Sequence, residues 1–152
     1  MRKRYGNWLW PIEMGTVVDH SDAGLTIGDL RLPAEPAKLR VAREYAHQAA
    51  VAFGLDPDCC YEFAFAVNEA VTNAIRHGRP DAHGDIHLSV SADGDRLTFA
   101  VRDYGTFSGY APIGAMGADR GRGFELMTRV MDAVQLCVGS GNTTVRLSKA
   151  RV

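Results

Sequence analysis

The most constraining stretch of the chain is NEAVTNAIRHG, residues 68–78. It carries Glu69, Asn73 and His77 at four-residue intervals among small and apolar residues. Residues three and four apart are neighbours on a helix, and a four-residue step drifts only about 40° where each turn takes 3.6 residues. A carboxylate, an amide and an imidazole therefore stack along one stripe. Val67, Ala70, Val71, Ala74 and Ile75 take the remaining faces. A helix this apolar is largely buried, and buried polar groups require partners, so the stripe faces a core network or a pocket. Each residue alone also has a plainer reading: Glu69 as an exposed helix carboxylate, Asn73 as an amide satisfied by backbone, His77 as a C-terminal cap.

Around this helix the periodicity lays out a short order of elements. LTIGDLRLPAEP (25–36) reads as a strand bulged at Gly28 and stopped by Pro33 and Pro36. Leu39, Ala42, Ala46, Ala49 and Phe53 then repeat at helical spacing, with Gly54 as a C-terminal signal. Asp56 and Pro57 mark the start of the next helix, which runs over about 58–77 and stops at HGRP. DIHLSVSA (85–92) and RLTFAVRD (96–103) alternate as strands about a DGD turn. Residues 104–123 hold six glycines, the composition of a lid or binding loop. FELMTRVMDAVQL is expected to begin a third helix at residue 124 and run into a strand near 134–138; SGN turns the chain into a last strand, 143–149. Hairpin-joined strands with grouped helices imply an α+β, two-layer α/β sandwich with a mixed, mostly antiparallel sheet and helices on one face. Alternating crossovers of a Rossmann type are missing. Residues 1–24 show no clear period and read as an N-terminal arm of illegible role, ahead of a domain over 25–152.

Bulk composition narrows the function classes. A chain of 152 residues suggests one domain, and a net charge of −1 leaves no electrostatic footprint for nucleic acid. Cys59, Cys60 and Cys137 match neither a disulfide framework nor a zinc pattern and read as reduced thiols. The basic and then apolar start is interrupted by Asn7, Pro11 and Glu13, and no apolar run approaches the roughly 20 residues of a membrane span. These readings together place the chain in the cytoplasm. His20, His47, His83 and His87 show no ligand spacing and carry no assignment. Tyr45, Phe53, Phe63, Phe65 and Phe99 are expected in the core.

Two further constellations carry chemistry. In VRDYGTF, Asp103 leaves a strand end two residues before Gly105. Such a carboxylate can accept from an exocyclic amine such as adenine N6, and the glycine lets backbone approach a flat ring; a simple turn explains the same pair. In DRGRGFELM, Gly121 and Gly123 stand at the expected mouth of a helix, where N–H groups and the dipole suit phosphate. Arg120 and Arg122 can add charge-assisted contacts; a flexible loop end is the plainer account. No G-K-[ST] occurs, so this is not a Walker A loop. Thr143 and Thr144 are most simply β-formers.

Taken in order, these motifs resemble the ATP-binding domain of the GHKL (Bergerat-fold) superfamily over about residues 25–149, and within it the anti-sigma-factor serine/threonine kinases. EAVTNAIRH is similar to the N box, which implies Asn73 as the Mg²⁺ ligand, Glu69 as the base that orients or deprotonates the nucleophile, and His77 near the phosphates. DYGTF resembles the G1 box, which implies Asp103 on the adenine amine and Gly105 lining the base pocket. Phe107 stands where a second glycine is frequent. GRGF resembles the G2 box, with Gly121 and Gly123 supporting the triphosphate. Thr143 falls in the place of a Gly-Thr pair, with Asn142 replacing the glycine, and is implied in binding adenine through water. No phosphoacceptor-histidine helix accompanies these motifs, unlike a sensor histidine kinase.

The resemblance implies ATP and Mg²⁺ as cofactors. It further implies phosphorylation of a serine or threonine on an anti-anti-sigma (STAS) partner, sequestration of a sigma factor, and a homodimer. Two other readings stay open here: an ATP-binding regulator that sequesters its partner without phosphotransfer, and a plain interaction module.

Overall fold

The computed structural model describes residues 2–5, 8–11, 18–20, 24–105 and 118–151, with side chains described over 27–105 and 123–151. The elements are β1 (Arg2–Tyr5), β2 (Trp8–Pro11), β3 (Val18–His20), β4 (Gly24–Pro33), α1 (Leu39–Phe53), α2 (Pro57–His77), β5 (Asp85–Asp93), β6 (Arg96–Asp103), α3 (Ala118–Val130), β7 (Ala133–Gly139) and β8 (Asn142–Ala150). β1 and β2 pair as a two-stranded sheet, and the others form one sheet in the order β3-β4-β5-β6-β8-β7. The α+β sandwich is as expected. Where mixed pairing was anticipated, every described pairing is antiparallel. The chain path explains this. α1 and α2 form a return pair that brings β5 back at the end where β4 finished, and β8 inserts between β6 and β7, the two strands a single helix crossover would leave parallel.

Local chemistry sets the element ends. The Asp56 carboxylate accepts the Cys59 N–H at 2.9 Å, with Pro57 at the first helical position of α2. α1 ends on Gly54 at φ 97°, the left-handed conformation that glycine adopts without strain. β4 carries its register shift between Thr26 and Gly28, at the expected bulge.

One face of the sheet meets the helices. Ile86, Leu88 and Val90 of β5, Leu97, Phe99 and Val101 of β6, and Val145 and Leu147 of β8 are buried there with Phe53, Phe63, Val67 and Val71. Phe99 takes the rings of Tyr45 and Phe63 edge-on, with centroids 5.8 and 6.1 Å away. Phe65, expected in the core, is instead 38% exposed. Apolar character alone did not assign it a face, and Tyr61, four residues earlier on the same stripe, is exposed as well. Cys59, Cys60 and Cys137 are free thiols. No helix among the described residues is long and apolar enough to cross a membrane.

The loop between α2 and β5 is pinned by Asp81. Its Oδ1 accepts the N–H groups of His83 (2.8 Å) and Asp85 (3.0 Å), and its Oδ2 lies 2.9 Å from His87 Nε2. The Asp85 N–H first, then His87 and the His83 N–H, outweigh the loss of solvent and hold this carboxyl at about 2. A carboxyl depressed on folding contributes stability that is fully present above its unfolded value, about 3.9 for aspartate, and is lost as pH falls through the folded value. Asp81→Asn is therefore expected to flatten the fall in stability between about pH 4 and pH 2, read as urea midpoints against pH. Parallel curves for the two proteins would show that Asp81 contributes nothing to acid unfolding.

Candidate functional site

Two groups of residues form the site, one beside the middle of α2 and one at its C-terminal end. In the first, Asn73 is only 6% exposed, and its Nδ2 has no hydrogen-bond partner among the described residues. A buried amide left so costs about 1–3 kcal/mol of desolvation. Glu69 and His77 lie half-buried on the same stripe. α3 approaches at Gly123: a methyl group there would stand 2.9 Å from Glu69 Oε2 and 3.9 Å from Asn73 Nδ2. Any side chain at 123 would thus displace the carboxylate, so the glycine lets α3 pack closely against Glu69 and Asn73.

In the second group, Asp103 is 1% exposed at the end of β6, and its Oδ1 accepts the Gly105 N–H at 2.8 Å. Thr143 faces Asp103 across the β6–β8 pair, and its hydroxyl reaches the Gly105 carbonyl at 3.5 Å. The Tyr104 N–H donates to the Arg79 carbonyl at 2.7 Å, tying the strand end to the segment after α2. Gly78 completes the contact. A methyl there would fall 2.5 Å from Asp103 Cγ and 2.7 Å from its Oδ2. From Glu69 to Gly78 the rise of 1.5 Å per residue gives about 13 Å. A ligand lying along α2 therefore meets Asp103 at one end and Asn73 with Glu69 at the other.

Most of the expected residues come together in this way: Glu69, Asn73 and Gly123 in one group, Asp103, Gly105 and Thr143 in the other, with His77 on the α2 stripe between. Helix α3 differs from expectation. It begins at Ala118, so Gly121 and Gly123 sit inside it rather than at its mouth. Two glycines penalise a helix by about 1 kcal/mol each, which led sequence reasoning to start the helix after them. The close approach of α3 to Glu69 supplies a reason for a glycine within it, and Gly123 serves close packing rather than offering a free N–H. Arg120, Gly121 and Arg122 lie early in α3 with their side chains outside the described residues. The remainder of the glycine-rich lid, 106–117 with Phe107, is likewise outside them.

Sequence reasoning missed Gly78, which it took only as a helix stop. Its φ of −89° and ψ of −164° are ordinary extended backbone, so the glycine serves close packing and not a left-handed cap. Nothing local in HGRP separates those two uses.

Among the described residues no group of three or more His, Cys, Asp or Glu side chains can hold a metal ion.

The sequence and the fold have known counterparts. The model of the histidine kinase-like ATPase domain matches residues 32–149. The serine-protein kinase RsbW of Bacillus velezensis is 28% identical over 149 residues, spanning 90% of this chain and 88% of that protein. The anti-sigma F factor of Bacillus cereus is 32% identical over 122 residues, 68% of this chain and 79% of its own. The crystal structure of the RsbU and RsbW domains of a Mycobacterium tuberculosis protein shares the fold, with a TM-score of 0.60 at 20% identity; the match covers 80% of this chain and 31% of that one. With the family match running through α1, α2 and the strands that carry both groups of the site, the chain belongs to the histidine kinase-like ATPase domain family.

Proposed function

We propose that this chain is an anti-sigma regulatory factor that uses ATP to phosphorylate a serine or threonine of an anti-anti-sigma (STAS) partner. The observation that carries the reading is the buried Asn73 beside Glu69: its Nδ2 has no hydrogen-bond partner among the described residues and is free to donate to a ligand oxygen, and Gly123 of α3 packs closely against the pair. The relatives support it by name, one being a serine-protein kinase and another an anti-sigma factor.

In this reading Asp103 accepts from the adenine amine, while Gly105 and Thr143 wall the base and Thr143 acts through water. Asn73 is the residue that would hold Mg²⁺, a hard cation that takes oxygen ligands and is commonly bound by one or two protein groups together with phosphates. The ion supplies neutralisation of the charge that builds on the phosphates during transfer. His77 faces the phosphates, and Arg120, Gly121, Arg122 and Gly123 of α3 lie on their other side. Glu69 orients the acceptor hydroxyl and takes its proton as the oxygen attacks the γ-phosphorus, while the bond from that phosphorus to the bridging oxygen breaks and ADP leaves with the electron pair. Phosphoryl transfer needs positioning and charge stabilisation more than covalent help, and the stripe on a rigid, buried helix provides the positioning. The unit that does this is residues 25–152, with 1–24 as an arm. It works in the cytoplasm as a homodimer that sequesters a sigma factor and so regulates transcription.

Gly78→Ala tests the base end. A methyl group 2.5 Å from Asp103 Cγ and 2.7 Å from the Ala74 carbonyl oxygen must shift the carboxylate against the end of α2, and ATP affinity is expected to fall at least about tenfold, the equivalent of one charged hydrogen bond. Unchanged affinity in a calorimetric titration would remove Asp103 from the base pocket. Transfer itself is tested by incubating the chain with labelled ATP, Mg²⁺ and a STAS-domain partner. Label on a partner serine or threonine is the expected result. Partner binding with no label at any time would leave a sequestering regulator without kinase activity.

A further inference from the structure

The strand end that carries Asp103 is held from a second side by a chain of hydrogen bonds. The Tyr104 hydroxyl lies 2.7 Å from His87 Nδ1, and His87 Nε2 lies 2.9 Å from Asp81 Oδ2. The tyrosine and imidazole rings meet edge-on at 5.1 Å and 74°. His87 alternates along β5 with the buried Ile86 and Leu88, so it stands on the sheet face turned away from the helices. The chain therefore adds nothing to the core between sheet and helices. What it joins is specific: the residue after Asp103, the beginning of β5 at His87, and the loop whose first residues are Gly78 and Arg79. The same tyrosine is tied to that loop through its backbone, Tyr104 N–H to Arg79 carbonyl. Asp103, packed against Gly78, thus lies between two ties that both pass through Tyr104.

Resting on the nucleotide reading above, we propose that Tyr104, His87 and Asp81 are positioning residues that fix the aim of the Asp103 carboxylate and thereby set the preference for adenine over a base lacking the exocyclic amine. A carboxylate at a strand end can tilt with its backbone. Contacts at both Tyr104 N–H and Tyr104 hydroxyl remove that freedom, because the peptide plane and the side chain are anchored to different points of one loop and strand. Asp81 is itself immobilised by two backbone N–H groups, so the far end of the chain is firm.

Binding of Mg-ATP and of Mg-ITP, which lacks the adenine amine, to the full chain and to Tyr104→Phe and His87→Leu separates this role from plain stability. Tyr104→Phe keeps the ring and removes only the hydroxyl, so it remains informative if His87→Leu fails to fold. Loss of one such hydrogen bond corresponds to about fivefold in affinity. ATP is expected to weaken by about that factor while ITP stays within about twofold, so the ATP-to-ITP preference narrows. A loss shared equally by both nucleotides would mark the chain as a structural brace, and no change for either would show that it does not act on the site; both overturn the proposal. Absence of ATP binding by the unmodified chain would overturn the nucleotide reading and this inference with it, a result distinct from either of those.

Discussion

Glu69→Ala is expected to keep Mg-ATP bound and to lose phosphotransfer by about 10²–10⁴, the contribution of a positioned general base. The separation of the two groups along α2 is the reason. Glu69 stands against Gly123, at the end of the stripe away from Gly78 and Asp103, so its removal leaves the contacts around Asp103 untouched. Removing a half-buried carboxylate also enlarges the space in front of Asn73, and neither change obstructs a ligand. The assay pairs nucleotide titration with single-turnover transfer to the partner: a Kd within about twofold of wild type and a rate lower by at least about 100-fold are expected. A variant that transfers at the wild-type rate would show that the acceptor hydroxyl needs no base at this position.

Asn73→Ala acts at the same place with the opposite signature, losing nucleotide first. Even groups that only orient a metal's ligands cost 10–100-fold in affinity, so on the proposed role of Asn73 as the residue holding the ion, its loss is expected to weaken Mg-ATP by more than about 100-fold. The ligand-free protein gives an independent readout. The Nδ2 group has no partner among the described residues, and a buried donor in that state costs about 1–3 kcal/mol. Asn73→Leu, which keeps the branched skeleton and removes the unpaired donor, is therefore expected to raise the ligand-free melting temperature while abolishing binding. A stability maintained below its optimum at one buried residue indicates a site shaped for a ligand. Should Asn73→Leu destabilise the free protein by several kcal/mol, the amide would be a structural group and not a ligand-binding one.

How far the sequence could be read depends on whether each feature is local. The α2 stripe, the Asp56–Pro57 start, the turn at Gly94 with φ 58° and the bulge before Gly28 are short-range patterns, and the structure holds them where periodicity and turn chemistry set them. Asp103 with Gly105, and Glu69 with Asn73, were likewise legible because each pair lies within a few residues. The features that escaped are contacts between segments far apart in the chain. Gly78 is crowded by a residue 25 positions away, and His87 meets a tyrosine 17 positions on. The start of α3 escaped for the same reason: the packing of Gly123 on Glu69 is invisible to a propensity scale that counts each glycine as a breaker. β3, joined to the edge of the main sheet, lies in a stretch without usable period.

The central claim is that Asp103 and Asn73 mark the two ends of one nucleotide site. Thermal unfolding with and without Mg-ATP, on the unmodified chain and on Asp103→Asn, tests it most directly, because a ligand that binds only the folded state must raise its stability. A clear upward shift for the unmodified chain, reduced in Asp103→Asn, is the predicted result. No shift for the unmodified chain at millimolar Mg-ATP would contradict the account at its base.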